Sequence, residues 1–125
     1  MPNYFQVTCD IKMLIKTIIF NSIFFLKMKV LFIGNSFTFY NNIPCLFEKI
    51  ALSTNKSVTV ESVTKSGYTL EKFTNSSDEL GKKVDEKLNS SNDYEVIVLQ
   101  EQSIRPLSKY KKFVSSAKAL QTKIN

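Results

Sequence analysis

"VLFIGNSFTFYNNIP", residues 30–44, decides how the rest of this chain is read. Residues 29–34, "KVLFIG", form a continuous apolar run stopped by Gly34, the pattern of a strand buried on both faces. Asn35 and Ser36 follow at once, and then come helix signals. Asn41 and Asn42 precede Pro44 in a first turn, and Ile43, Leu46, Phe47 and Ile50 recur at helical spacing. Ser36 therefore stands at a strand-to-helix turn, at the mouth of a sheet.

The same alternation continues outward. "SVTVESV" (57–63) reads as a second strand. Ser76 and Glu79 have capping-box spacing ahead of a helix marked by Leu80, Val84 and Leu88. "YEVIVLQ" (94–100) reads as a third buried strand, and after Pro106 a last helix carries Tyr110, Val114, Ala117 and Leu120. Three β-α units with apolar strands imply an α/β fold built on a doubly wound parallel sheet with right-handed crossovers. In such sheets ligands sit beyond the carboxyl ends of the strands. Those ends are Gly34-Asn35-Ser36, the segment from Val63 to Gly67, and Gln100-Glu101-Gln102. Polar residues and glycine converge on one edge.

Composition narrows the functions. The 125 residues suffice for one domain, and 43% hydrophobic with 22% charged residues describes a folded chain. No internal repeat interrupts it. The net charge of +6 comes from scattered lysines, Arg105 being the single arginine. Lys82 and Lys83, and "KYKKF" (109–113), fit the solvated faces of helices, so nucleic acid is not an expected partner. The two cysteines, Cys9 and Cys45, have no pairing or ligand spacing, and there is no histidine, which argues against zinc or copper. Cys45 reads as a small filler on a buried helix face.

Residues 13–26, "MLIKTIIFNSIFFL", are strongly apolar but short for a membrane span, so no stable span is expected. They read as a leader, an anchor or an upstream extension of the frame, with Met28 opening the first strand. A start at Met28 implies a cytoplasmic protein. A working signal or anchor in 13–26 implies a secreted or membrane-associated one.

Each strand-end residue has a plain and a chemical reading. Ser36 is a helix cap or a nucleophile with backbone N–H groups beside it. Gly67 is a turn residue or a donor of a close backbone N–H. A glutamine after the third strand is solvated or aims its amide at the same point.

Taken in order, these stretches resemble the blocks of the SGNH (GDSL-like) hydrolase superfamily. "GNSFTFYNNIP" is similar to the first block, which implies that Ser36 is the nucleophile. "VESVTKSGYTL" looks like the second, whose glycine, here Gly67, supplies an oxyanion-hole N–H. "YEVIVLQEQSIRP" is similar to the third, in the Leu-Gln-Glu-Gln-Ser form of one branch. Laid on the family's Gly-x-Asn-Asp, it puts Gln102 in the place of the oxyanion-hole asparagine and Gln100 in that of the glycine, with Gln100 the rival for the asparagine's role. The resemblance covers roughly residues 28–107 and implies a flavodoxin-like fold, here incomplete with about three βα units. It also implies a serine esterase for small ester substrates, such as O-acetyl groups on carbohydrates, that needs no metal or organic cofactor.

The family's base lies in a last Asp-x-x-His block, for which this chain has no histidine. Residues 28–125 are then the N-terminal portion of a hydrolase-like domain, truncated, or a decayed relative. Glu101 could in principle act as a weak substitute base, although nothing in the sequence argues for it. The alternative function is a non-catalytic module that holds a small ligand or carbohydrate at the same edge.

Overall fold

The computed structural model describes residues 27–90 and 93–124, so the stretch 13–26 lies outside the described residues. The elements run β1 (Met28–Gly34), α1 (Ser36–Phe39), α2 (Ile43–Ser53), β2 (Val58–Thr64), α3 (Leu70–Thr74), α4 (Glu79–Asn89), β3 (Val96–Leu99), α5 (Arg105–Ser108) and α6 (Tyr110–Ile124). The three strands form one parallel sheet in the order β2-β1-β3. The register runs from Met28 opposite Val58 to Gly34 opposite Thr64, and from Val30 opposite Val96 to Ile33 opposite Leu99. The expected doubly wound α/β arrangement is present.

The apolar run of β1 has its reason in this position. As the central strand it is covered on both faces, and Val30, Leu31 and Ile33 are fully buried. Leu31 and Ile33 point to one face, where Phe73 of α3, Val84 of α4 and Leu120 of α6 close the larger core. Val30 and Phe32 point to the other, against Val58, Val98 and Ala51 of α2. There the Phe47 ring meets the Phe32 ring edge-on at 5.8 Å. Truncating the fully buried Phe73 to alanine removes about 3–5 kcal/mol of packing.

Three local readings are corrected. The Ile43-Leu46-Phe47-Ile50 face of α2 is not buried: Leu46 and Ile50 are more than half exposed, and Cys45 is only half-buried. Among the described residues α2 meets the sheet chiefly through Phe47 and Ala51. The cap of α4 is Asp78, whose Oδ1 accepts from the Leu80 N–H at 3.0 Å; Ser76 instead accepts from the Lys123 ammonium at 3.2 Å. β3 is shorter than its apolar run and only half-buried, with Val96 exposed, because it pairs with β1 on one side alone in this sheet.

Candidate active site

Gly34 ends β1 where two side chains close over it. A Cβ there would lie 2.2 Å from Thr38 Oγ1 and 2.8 Å from Gln100 Oε1, so any side chain would force Thr38 and Gln100 to shift. Asn35 comes next and is 1% exposed. It caps α1 from an extended backbone, its Oδ1 accepting from the Phe37 N–H at 3.1 Å. Its Nδ2 donates to the Tyr68 carbonyl at 3.1 Å, in the loop after β2. Its backbone N–H donates to Gln100 Oε1 at 2.9 Å, just past β3. Gln100 Oε1 also accepts from the Thr38 hydroxyl at 3.0 Å. One buried asparagine therefore ties the carboxyl ends of all three strands together.

Ser36 is the first residue of α1 and is half-buried. Its carbonyl accepts from the Tyr40 N–H at 2.7 Å, whereas its hydroxyl and N–H have no hydrogen-bond partner among the described residues. It lines a surface hollow of about 280 Å³ with Phe37, Tyr40 and Asn41. Gly67 is exposed in the loop next to Tyr68, at φ +70°, in the left-handed region that favours glycine, with open space where a side chain would be.

The two glutamines have different surroundings. Gln100 lies under the Ser36 turn, and its Nε2 donates to the Glu101 carbonyl, so both ends of its amide are engaged. Gln102 is half-buried; its Oε1 accepts from the Ile104 N–H at 3.3 Å, and its amide protons have no partner among the described residues. The structure thus brings Ser36, the Gly67–Tyr68 loop and Gln100 together through Asn35. Gln102 joins them through its neighbour Glu101.

Glu101 is buried among backbone groups. Its Oε1 accepts from the Gln102 N–H at 2.7 Å and from the Leu70 N–H at 3.1 Å. Its Oε2 lies 4.0 Å from Arg105 Nε, and neither atom has a hydrogen bond. Arg105 is held by Glu71, which Lys112 also approaches at 3.3 Å. The Arg105 bond first, and then the Lys112 bond, hold the Glu71 carboxyl below its usual range. Sequence reasoning missed Asn35 and Thr38. Asn35 left one legible sign, a capping residue type directly before a helix; Thr38 left none.

Among the described residues no group of three or more His, Cys, Asp or Glu side chains is placed to hold a metal ion. Nor is any helix among them long and apolar enough to cross a membrane.

No family model and no curated protein matches the chain. Among solved structures, a protein from Slackia heliotrinireducens described as "a putative SGNH hydrolase" matches it with a TM-score of 0.66 at 23% identity. The match covers 78% of this chain and 50% of that one, so the chain spans half the length of the solved structure. The chain thus shares the α/β fold of the half of that structure that the match covers.

Proposed function

We propose that Ser36 is the nucleophile of an SGNH-type serine esterase acting on small acyl esters, with O-acetyl groups on carbohydrates as the substrate class to try first. The observation that carries the reading is the Asn35 knot. It holds the Ser36 turn against the loop after β2 and the residues after β3, leaving the Ser36 hydroxyl and N–H unengaged among the described residues. A nucleophile of this kind needs an accessible oxygen and nearby donors for the developing oxyanion.

In this mechanism Ser36 Oγ attacks the ester carbonyl and its proton passes to a base. The tetrahedral oxyanion is received by the N–H groups of Ser36 and Gly67 and by the amide of Gln102. Gln102 is preferred to Gln100 because its amide protons are unengaged among the described residues, whereas Gln100 donates to Glu101. Collapse releases the alcohol, which takes the proton from the base, and leaves the acyl group on Ser36. Water, deprotonated by the same base, then releases the acid. The 125 residues hold no histidine, so this mechanism requires a base that they do not include, the role the family's Asp-x-x-His block fills. Neither nucleic acid nor a cofactor has a part in this reading.

The absence of histidine also favours a second reading, because a serine with no base is a poor nucleophile. The same edge then binds a small ligand or carbohydrate without chemistry, as a binding module or decayed enzyme. Labelling of the native full-length protein with a fluorophosphonate separates the two. The esterase reading expects a covalent adduct on Ser36, lost in Ser36→Ala, together with hydrolysis of 4-nitrophenyl acetate and acetylated sugars. An unlabelled native protein that binds acetylated sugars equally well with and without Ser36→Ala selects the binding module.

A further inference from the structure

We infer that Glu101 is a positioning residue, whose carboxylate sets the loop carrying Gly67 and the segment carrying Gln102 in one geometry. This rests on the esterase reading for its catalytic meaning and adds a residue that the mechanism above does not use. Glu101 is buried to 9% exposure and its side chain to 3%, yet it lies on the short segment that leaves β3. A carboxylate so placed needs partners, because an isolated buried charge is strongly unfavourable.

Its partners are informative. Oε1 accepts two backbone N–H groups from different parts of the chain: Gln102, its neighbour, at 2.7 Å and Leu70, 31 residues away, at 3.1 Å. Leu70 is the first residue of α3, and Thr69, in the capping position, makes no side-chain cap. The carboxylate from the third strand end thus does the work of a local cap. It anchors the chain at Leu70, three residues after Gly67, and at Gln102 itself. The segments that carry the two more distant proposed oxyanion donors are thus tied to the same oxygen. The other oxygen faces Arg105 Nε at 4.0 Å without a hydrogen bond, and Arg105 is oriented from outside by Glu71. Both hydrogen bonds of the Glu101 carboxylate go to backbone and none goes to Ser36, so what the geometry supports is a positioning role.

Two variants of the native full-length protein test this. Glu101→Gln keeps an oxygen that can accept both N–H groups; Glu101→Leu keeps the bulk and removes the acceptor. Amide hydrogen exchange is followed at Leu70 and Gln102, with Val30 and Ile33 of β1 as controls. The expected result is about tenfold or faster exchange at Leu70 and Gln102 in Glu101→Leu, unchanged β1 amides, and near-native exchange in Glu101→Gln. Equal exchange in wild type and Glu101→Leu overturns the inference. So does a uniform rise that includes β1, or a glutamine variant that behaves like the leucine variant.

Fluorophosphonate labelling of Ser36 supplies the catalytic readout. Its rate is expected to fall about tenfold or more in Glu101→Leu and to recover in Glu101→Gln, because small displacements of oxyanion donors are costly. An unchanged rate in Glu101→Leu overturns the catalytic role. If wild type is not labelled at all, the esterase reading fails and the catalytic meaning of Glu101 with it. The exchange experiment still decides whether Glu101 holds the two segments, since it needs no chemistry at Ser36.

Discussion

The side-chain amide of Asn35 donates to the main-chain carbonyl of Tyr68 at 3.1 Å, joining the turn after β1 to the loop after β2. The same side chain accepts from the Phe37 N–H, so its oxygen and nitrogen are fixed in opposite directions. Replacing Asn35 with alanine removes the cap of α1 and leaves the Tyr68 carbonyl unpaired near a buried site. The expected loss is about 2 kcal/mol. It is read as a lower urea midpoint with an unchanged m-value, and an unchanged midpoint would remove Asn35 from its central place.

Gly34 is expected to reject any side chain. The clash of an added Cβ with Thr38 Oγ1 and Gln100 Oε1 makes Gly34→Ala an overpacking change costing about 1–3 kcal/mol. Thr38→Ala removes the nearer of the two clashing atoms. The double variant should therefore cost less than the sum of the single ones, and a double-mutant cycle by urea denaturation measures the difference. Strict additivity would mean that the Gly34 contact is not the cause.

Gly67 poses the opposite case, with space for a side chain but a backbone that disfavours one. Gly67→Ala is expected to cost about 1 kcal/mol through its positive φ alone, and Gly67→Asn less, because asparagine tolerates that region better. Thermal denaturation of the pair checks the order. Asparagine as the more damaging change would show that space, not backbone, limits the site.

Far from the site, Glu61 of β2 accepts from the Tyr94 hydroxyl at 2.8 Å and from the Lys87 ammonium. The Lys87 bond first, and the Tyr94 bond second, hold the Glu61 carboxyl below its ordinary value. Its contribution is present above about 4.5 and fades as pH falls through the lower folded value. Burial first, and Glu61 second, push Tyr94 up to about 12. A raised tyrosine stabilises the fold fully below its ordinary value of 10.0 and loses that contribution as pH rises towards about 12. The stability difference between wild type and Tyr94→Phe should thus shrink between pH 10 and about 12. Chemical denaturation across that range checks it, and a flat difference would count against the burial and Glu61 pairing that raise Tyr94.

Much of the sheet was legible along the chain. The run 29–34 is apolar at every position but its lysine and glycine because β1 is covered on both faces, and Leu80, Val84 and Leu88 mark the face of α4 that packs into the larger core. Ser36 was legible as a strand-to-helix serine, since Gly34 before it and Pro44 after it bracket the turn. Periodicity misled at α2, where Leu46 and Ile50 sit at the right spacing yet face outward. Spacing misled at α4, where Ser76 and Glu79 have the capping interval but Asp78 makes the bond. A local pattern states which residues share a face, not whether a neighbour arrives to cover it.

By itself, then, the sequence determined the three strands, their parallel direction and the gathering of Gly34-Asn35-Ser36, Gly67 and Gln100-Glu101-Gln102 at one edge. Those follow from short-range apolar patterning and from the crossovers that β-α units require. Only the tertiary structure decided that Gln100 meets the Ser36 turn while Gln102 keeps its amide protons unengaged among the described residues, that Asn35 binds the strand ends, and that Glu101 serves as the cap of α3. The places of Gln100, Asn35 and Glu101 each rest on a hydrogen bond between residues 31 to 65 positions apart. Such pairings leave no periodic trace, because they are selected by the distance and direction of two polar groups after the sheet has formed.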